Sequence, residues 1–194
     1  MPNLASTHLP CDRRQFAFPI ARFKESIIVT NSLQIQSIYT DGACSGNPGA
    51  GGWGVVVYFS DRSVHELGGM EPQTTNNRME MQAAIAALKF WNESGQSHPI
   101  ALHTDSEYLI KGITQWLRGW KRKDWQTAAG KPVLNQDLWE ILDTLNAPQI
   151  RWEHVRGHAG NEGNERCDTI ARSFSRGQTP SLKQQSFEQQ GETS

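Results

Sequence analysis

Four acidic residues lie where carboxylates from distant parts of the chain could act together. Asp41 ends one predicted strand and Asp105 ends another, while Glu80 and Asp168 lie in the first turns of two predicted helices. Parallel neighbouring strands end at the same edge of a sheet, and open α/β sheets bind ligands at that edge. If the two strands are such neighbours, we expect the carboxylates of Asp41 and Asp105 to meet there.

Carboxylates gathered in one cleft either acquire raised pKa values or bind cations, because like charges about 4 Å apart repel by roughly 4 kcal/mol at an effective dielectric constant of 20. Oxygen ligands suit Mg²⁺ or Mn²⁺ rather than Zn²⁺. A pair of such ions is the usual apparatus for in-line attack on a phosphodiester. Spacing alone leaves simpler roles open, namely a turn at Asp41, a capping box from Asn77 to Glu80, a helix cap at Asp105 and a helix-dipole contact at Asp168.

The apolar pattern defines the elements that must position these carboxylates. Strands are predicted over 33–41, 52–60, 64–68, 99–104 and 149–155. Helices are predicted over 78–93, 106–113, 134–145 and 165–175, with a further helix carrying Trp116 toward a basic stretch. The order is approximately βββαβααβα, which predicts an α/β fold with a mixed sheet flanked by helices.

Composition and charge exclude several classes of protein. The 194-residue chain has a formal net charge of −1 and a mean hydropathy of −0.59. Its three cysteines are far apart, which argues against a disulfide framework and against a CxxC zinc site. No apolar run approaches the roughly 18 residues of a membrane-spanning helix, and prolines and arginines interrupt any signal-peptide core. We therefore expect a cytoplasmic protein without a membrane partner, and we take it to be a monomer because nothing in the sequence suggests an oligomer.

Two terminal segments lack the pattern of a folded domain. Residues 1–33 show no apolar period and mix proline, arginine and isolated aromatic residues. Residues 177–194 are rich in Gln and Ser and have few apolar groups, so they bury too little apolar surface to order the chain. We predict a disordered extension over 1–33 and a disordered tail over 177–194.

One segment is strongly basic although the whole chain is nearly neutral. Residues 111–131 contain six lysine or arginine residues and one aspartate, a local charge of +5. Trp116, Trp120 and Trp125 interleave with these charges, which is typical of surfaces that bind phosphates and stack on nucleic acid. The alternative is a small core of tryptophans under the segment, and the i, i+4 spacing of Trp116 and Trp120 favours burial of one of them.

Five sequence runs, in order and with similar spacing, resemble type 1 ribonuclease H, especially its bacterial form. They are YTDGACSGNPG at 39–49, TTNNRME at 74–80, TDS at 104–106, GHAG at 157–160 and NERCD at 164–168. The resemblance covers residues 34–176, which we take as the catalytic domain. It implies a ribonuclease H fold, with an antiparallel meander and parallel strands in one five-stranded sheet flanked by helices.

The resemblance also implies an activity and its cofactor. The activity is endonucleolytic hydrolysis of the RNA strand of RNA–DNA hybrids, giving 3′-hydroxyl and 5′-phosphate ends. The cofactor is a pair of Mg²⁺ ions, for which Mn²⁺ could substitute. By matching motifs, the metal ligands are Asp41, Glu80, Asp105 and Asp168, with Asp41 bridging the ions. His158 matches the histidine assigned to proton transfer and product release, although a loop histidine without a role is the simpler alternative.

The hybrid would be bound by three sets of residues. The resemblance assigns the RNA strand to Cys44, Gly46, Asn47, Asn76 and Asn77. It assigns a DNA phosphate to a pocket of Thr75 and Asn135, and the basic protrusion called the handle to Trp116, Trp120, Lys121, Arg122 and Lys123. Turn and helix-cap chemistry is the alternative explanation for the Asn and Gly positions.

Two positions depart from the family pattern. Glu107 stands where bacterial relatives carry Gln, and an acid there adds repulsion toward the RNA backbone or an extra metal-shell acceptor. Gln73 stands where the family often has Arg in the phosphate pocket. Losing that charged contact should weaken the grip on the DNA strand by about 1–2 kcal/mol. We expect activity to be retained with a somewhat reduced affinity for the hybrid.

Two other functions are open on the same scaffold. One is a module that binds hybrids without cutting them, and the other is a DNA nuclease of the resolvase or integrase type. The four carboxylates together with His158 favour a hybrid-cutting enzyme over the first. The RNA-strand residues and the handle argue against the second.

Overall fold

The computed structural model describes residues 33–184. Within that range the strands are Ile35–Gly46 (β1), Gly49–Phe59 (β2), Val64–Thr74 (β3), Ile100–Thr104 (β4) and Ile150–His154 (β5). The α-helices are Asn76–Glu93 (α1), Glu107–Lys111 (α2), Leu117–Arg122 (α3), Gln136–Leu145 (α4) and Glu162–Ser175 (α5). A π-helical segment, Gly112–Trp116, joins α2 to α3.

The strands form one mixed sheet in the order β3-β2-β1-β4-β5. The first three strands pair antiparallel as a meander, β1 pairs parallel with β4, and β4 pairs parallel with β5. The predicted five-stranded mixed sheet is therefore confirmed. The last parallel pair between β1 and β4 joins Thr40 to Thr104, so Asp41 and Asp105 follow it at the same edge.

Apolar side chains cover both faces of the sheet. The larger core joins one face to α1 and α4 and includes the fully buried residues Ile38, Leu88 and Trp139. The smaller core joins the other face to α5 through Val56 and Ile170. Burying one such aliphatic side chain stabilises the fold by about 1.5–3 kcal/mol. The sheet thus packs between two helical layers. This packing holds in place the residues at the edge where Asp41 and Asp105 lie.

The three strands of the meander are longer than predicted. The sequence predicted strands over 33–41, 52–60 and 64–68, whereas β1 runs on to Gly46, β2 begins at Gly49 and β3 runs on to Thr74. Glycines interrupt the apolar pattern of these segments. In the structure the absence of a side chain at these glycines lets the helices pack closely against the sheet. A Cβ on Gly42 would lie 2.3 Å from the amide nitrogen of Glu80, and one on Gly54 would lie 2.6 Å from a carbonyl oxygen of α5. Close approach of α1 and α5 to the sheet is the reason for glycine within these strands.

The helical region after β4 also differs from the prediction. The helix predicted over 106–113 and the one after it form a single helical stretch interrupted by the π-helical segment. A Cβ on Gly112 would lie 2.0 Å from the ring of Trp139. Glycine at this position therefore lets α4 pack tightly against the π-helical segment, which leads directly into α3 and its basic residues.

The described part of the predicted tail, residues 177–184, contacts the edge of the sheet. The backbone of Lys183 accepts a hydrogen bond from the Glu66 N–H (2.8 Å) and donates one to Glu66 Oε2 (2.9 Å). Leu182 packs against the smaller core. The physical reason is Glu66 itself, a carboxylate with no solvent exposure on the edge strand β3, which requires hydrogen-bond donors.

The other predictions about the termini fall outside the described residues. This applies to the disordered extension over 1–33, apart from Leu33, and to the tail beyond Gln184. Along residues 33–184, no helix combines the length and the apolar character needed to cross a membrane.

Candidate active site

Three carboxylates converge at the edge where β1 and β4 end their pairing. Asp41 continues β1 beyond that pairing, Asp105 follows β4, and Glu80 lies on α1, which Gly42 allows to approach the sheet. One ligand oxygen from each of the three lies within 4.8 Å of the others. The main-chain topology therefore forces acidic groups from three distant parts of the sequence into one place.

The simpler roles for the four carboxylates do not match the structure. No turn occurs at Asp41, since β1 runs on to Gly46. The side chain of Thr75 caps α1 and that of Ser106 caps α2, so Glu80 belongs to no capping box and Asp105 caps no helix. The helix dipole acts on charges in the first turn of a helix. Because α5 begins at Glu162, Asp168 lies beyond that first turn.

Burial and mutual repulsion disturb the ionisation of this cluster. Burial, reinforced by the charges of Asp105 and Asp168, raises the pKa of Asp41 to about 8. Burial and the charge of Asp41 also raise the pKa of Glu80 well above its ordinary value. The side chains of Asp41 and Glu80 have only 6% and 5% exposure. Without a cation, the fold holds these acids at a cost in free energy.

The donor set fits a divalent cation. Glu80 Oε1 accepts a hydrogen bond from Asn76 Nδ2 (3.3 Å), but its buried Oε2 has no hydrogen-bond partner. A buried carboxylate oxygen without a donor is costly unless a cation binds it. Oxygen-only ligands favour Mg²⁺, Ca²⁺ or Mn²⁺. The cluster therefore has the chemistry of a hard-cation site.

Asp168 and His158 line the same cleft of about 390 Å³ as these three carboxylates. Asp168 is engaged differently from the others, because its Oδ1 lies 2.9 Å from the guanidinium Nε of Arg172 on the next turn of α5. His158 lies on the exposed loop before α5 and adopts a positive φ of 53°. The cleft thus combines four carboxylates with an imidazole at its mouth.

The residues predicted to contact RNA divide into two groups. Cys44 and Asn76 line the cleft, whereas Gly46 and Asn47 lie at the β1–β2 turn beside it. The side chain of Asn47 accepts a hydrogen bond from the N–H of Asn76 (3.3 Å), which ties the turn to the start of α1. Asn77 is exposed in the first turn of α1. These residues form one continuous rim next to the carboxylates.

The two residues predicted to bind a DNA phosphate, Thr75 and Asn135, both contact Arg78. The Arg78 N–H donates to Thr75 Oγ1 (3.4 Å), and its Nη1 donates to Asn135 Oδ1 (3.4 Å). The guanidinium also pairs with Asp137 (2.7 Å). Gln73, where relatives place an arginine, is exposed at the end of β3. The main chain of Arg78 thus contacts Thr75 and its guanidinium contacts Asn135, and the charge of that guanidinium is already paired with Asp137.

The tryptophans of the handle form a graded row. The ring centroid of Trp120 lies 5.6 Å from that of Trp116 and 5.5 Å from that of Trp139. Trp139 is fully buried, whereas Trp116 is 36% exposed. The inner end of the row is a small core, as the alternative explanation held, and the outer end offers an indole face to a ligand.

The basic residues of the handle are exposed at the end of α3. They are Lys121, Arg122 and Lys123. Lys121 forms an ion pair with Asp143 of α4, which fixes its stem against the body of the domain. The handle lies outside the residues that line the cleft, so it is a separate surface.

Sequence reasoning missed two residues on α5 that contact carboxylates of the cleft. Asn164 is 2% exposed and donates from Nδ2 to Asp105 Oδ2 (3.1 Å), which orients that carboxylate. Arg172 pairs with Asp168, and its i, i+4 spacing was a signal that could have revealed it. Glu107 does not join the three clustered carboxylates; it is exposed and paired with Lys111.

Known proteins resemble this chain in both sequence and structure. A family model described as RNase H matches residues 34–176. A ribonuclease H from Cyanothece sp. is 68% identical over 153 residues, covering 79% of this chain and 97% of that protein.

Two solved structures share the fold. LC9-RNase H1, a type 1 RNase H with the type 2 active-site motif, is 32% identical with a TM-score of 0.66, covering 77% of this chain and 76% of its own. LC11-RNase H1 in complex with an RNA/DNA hybrid is 24% identical with a TM-score of 0.55, covering 71% of this chain and 94% of its own. The sequence matches and the carboxylate-lined fold lead to one conclusion: the chain belongs to the ribonuclease H family, whose activity is endonucleolytic cleavage of an RNA strand.

Proposed function

We propose that the cleft cuts the RNA strand of RNA–DNA hybrids in a metal-dependent reaction that leaves 3′-hydroxyl and 5′-phosphate ends. The observation that carries the proposal is the convergence of Asp41, Glu80 and Asp105, with one Glu80 oxygen buried and unpartnered. Family membership supplies the reaction type. The hybrid bound to LC11-RNase H1 supports the substrate class.

Asp41, Glu80, Asp105 and Asp168 are the proposed ligands of two Mg²⁺ ions, with Asp41 shared and Mn²⁺ as a substitute. Ions bound there would lower the pKa of an attacking water and stabilise the leaving 3′ oxygen. Asn164 and the main chain at Gly42 hold Asp105 and Asp41 by hydrogen bonds of 3.1 and 2.8 Å. These contacts fix the direction of the carboxylates before any ligand binds.

His158 is the proposed carrier of protons between the cleft and solvent. An imidazole can accept and donate protons near neutral pH. The side chain lines the cleft from an exposed loop, so it can reach both the reacting phosphate and bulk water.

The rim residues Cys44, Gly46, Asn47, Asn76 and Asn77 are proposed to contact the RNA strand. The 2′-hydroxyl of RNA both donates and accepts hydrogen bonds, and a side-chain amide can likewise donate through its NH₂ group and accept through its oxygen. Thr75 and Asn135 are proposed to hold a DNA phosphate, with Arg78, which hydrogen-bonds to both through its main chain and its guanidinium respectively, keeping them close together.

The handle is proposed to bind the DNA strand farther from the cleft. Lys121, Arg122 and Lys123 would meet phosphates, while the exposed indole of Trp116 would pack against a sugar or base. The row that joins Trp116 through Trp120 to the core gives this surface a rigid base.

Cleavage assays test the proposal directly. Labelled RNA–DNA hybrid, double-stranded RNA and double-stranded DNA are incubated with the protein, with and without Mg²⁺. We expect only the hybrid to be cut, and only with metal. Asp105→Asn should lower kcat by at least about 10³-fold, or roughly 4 kcal/mol of transition-state stabilisation.

The matched control is Asp61→Asn, the same chemical change in the turn between β2 and β3, which should leave kcat unchanged. Binding of the hybrid without cutting would instead establish a non-catalytic module. Cutting of double-stranded DNA would establish a DNA nuclease.

The handle is tested by replacing Lys121, Arg122 and Lys123 together with Ala. We expect KM to rise more than kcat falls and the salt dependence of binding to flatten, because fewer counterions are released. A loss confined to kcat would contradict a binding role for the handle. The predicted monomer and cytoplasmic location stay predictions.

A further inference from the structure

Arg172 is the cationic partner of one proposed metal ligand. It lies one helical turn after Asp168 on α5, with its Nε 2.9 Å from Asp168 Oδ1. Both side chains line the cleft, where Asp168 is 20% exposed and Arg172 is 50% exposed. An arginine at this point lies among the groups that would hold cations, rather than on the outer surface of the helix.

The four carboxylates are therefore not equivalent. Among the described residues, the oxygens of Asp41, Glu80 and Asp105 lie within 4.8 Å of one another, and Asp168 is not a member of that close set. Glu80 has a buried oxygen without a partner, whereas Asp168 already holds a guanidinium. One side of the cleft is open to a cation and the other side is occupied by the protein's own positive charge.

A guanidinium and a divalent cation on the same carboxylate repel each other. Arg172 occupies Oδ1 of Asp168, so a cation that binds through that oxygen requires Arg172 to move away, and a half-exposed side chain on four rotatable bonds can do so. The released guanidinium stays at the cleft and matches the geometry of a phosphate, to which arginine donates two parallel hydrogen bonds.

We propose that Arg172 is a positioning residue that serves as the internal counter-ion of Asp168 and is displaced when a divalent cation takes that carboxylate. The displaced guanidinium then contacts a backbone phosphate of the nucleic acid. This inference rests on the proposed function of the cleft, because it assigns Asp168 to cation binding. It makes Arg172 a competitor for the cation and a ligand for the substrate.

The test measures cation binding separately from catalysis. Mg²⁺ and Mn²⁺ are titrated into the full chain by isothermal titration calorimetry, without nucleic acid. Of the two cations proposed for the cleft, Arg172→Gln should bind the more weakly held one about three- to fivefold more tightly than the wild type does. The reason is that an exposed ion pair with Asp168 no longer competes with the cation. Arg172→Lys keeps the charge and should restore binding close to that of the wild type.

Arg176→Gln is the matched control, because Arg176 also lines the cleft and its removal takes the same charge from the same place. Both variants lose one positive charge, but only Arg172→Gln should increase the cation affinity by more than that general effect. In the cleavage assay, Arg172→Gln should also raise KM for the hybrid more than it changes kcat.

Each outcome decides between the two proposals. Equal cation affinities in Arg172→Gln and Arg176→Gln, with an active wild type, would overturn the counter-ion role and leave the nuclease intact. A wild type that cuts no hybrid overturns the proposed function itself. Circular dichroism of each variant verifies that the half-exposed substitution leaves the fold unchanged.

Discussion

Two acidic regions on either side of α5 show opposite ways of burying a carboxylate. At the β3 edge, Glu66 accepts hydrogen bonds from Arg166 Nε and Nη2, both at 2.8 Å, and from the Lys183 N–H at 2.9 Å. In the cleft, Glu80 is nearly as buried but keeps one oxygen without a partner. Both residues are glutamates, so the difference lies entirely in what surrounds them.

The two environments drive ionisation in opposite directions. Burial by itself favours the neutral acid at both places. At the β3 edge, the hydrogen bonds from Arg166 and Lys183 overcome burial and lower the pKa of Glu66. In the cleft, burial and a neighbouring carboxylate act together and raise the pKa of Glu80. A buried acid that the protein neutralises is structural, and one that it leaves unneutralised is available to an external cation.

The largest expected effect comes from Asp41→Asn, which tests the difference between the two acidic regions. It removes a charge from the unneutralised region, so kcat should fall by at least about 10³-fold because a shared cation ligand is lost. The same change should raise the melting temperature of the metal-free protein at pH 8, because repulsion is relieved. Activity assays and thermal melts in EDTA measure both effects. A lower melting temperature would show that Asp41 is structural, as Glu66 is.

Arg166→Met breaks the neutralised region. It leaves the Glu66 carboxylate buried without its main donor, which should cost about 3 kcal/mol in the free energy of unfolding. Urea denaturation gives that value. The matched control is Arg151→Met, which loses an exposed arginine 3.9 Å from Glu153 and should change stability by less than about 0.5 kcal/mol. Equal losses in the two variants would contradict the buried pair.

The pH dependence of stability should follow the cleft rather than the β3 edge. Asp41 has a pKa of about 8 in the folded protein and 3.8 as an ordinary carboxyl. The folded state then binds more protons than the unfolded state, so its extra stability is complete below pH 3.8 and is lost as the pH rises through 8. Between pH 7 and 9, the metal-free protein should lose on the order of 1–2 kcal/mol.

Two features isolate this effect. The pKa of Glu66 is lowered, so its contribution is present above the ordinary value of 4.5 and is lost only in acid. Burial also lowers the pKa values of His65 and His103 from 6.5, so both are neutral throughout this range. Urea melts at each pH should show a slope that Mg²⁺ removes and that Asp41→Asn reduces, because the pKa of Glu80 is raised in the same cluster and contributes to it. A slope that neither Mg²⁺ nor Asp41→Asn changes would place its origin elsewhere.

The smallest expected effect comes from Lys183→Pro. It removes the backbone N–H that Glu66 Oε2 accepts and should cost about 1 kcal/mol. Lys183→Ala retains the N–H and is the matched control; it loses only the side-chain charge, which also favours ionised Glu66, so a smaller loss than in Lys183→Pro is expected. Equal stability of the two variants, by urea denaturation, would mean that the N–H of Lys183 does not contribute to neutralising Glu66.

The sequence predicted the parts of the molecule that repeat a physical pattern. Alternating apolar residues located the sheet, and the carboxyl-edge rule explained why Asp41 and Asp105 meet across β1 and β4. Glu80 and Asp168 required the resemblance, because nothing in their local spacing shows that α1 and α5 reach the same edge.

Other features depend on contacts that no local pattern records. Gly42 looked like the end of a strand and Gly112 like an ordinary helix position, yet they mark close approaches to a helix and to an indole ring. Nothing in the sequence singled out Glu66, and a Gln-rich segment looked unable to pack. The contact between Glu66 and Lys183 spans 117 residues, so neither partner identifies the other in the sequence.

The docked tail has one more consequence, for the behaviour of the sheet in concentrated solution. β3 is an edge strand, and unpaired backbone groups on such an edge can recruit a strand from another molecule. The carbonyl oxygen of Lys183 accepts a hydrogen bond from the outward N–H of Glu66. The side-chain Nε2 of Gln184 donates a hydrogen bond to the carbonyl oxygen of Glu66 at 3.1 Å. The chain thereby covers its own edge at this point and protects itself against aggregation.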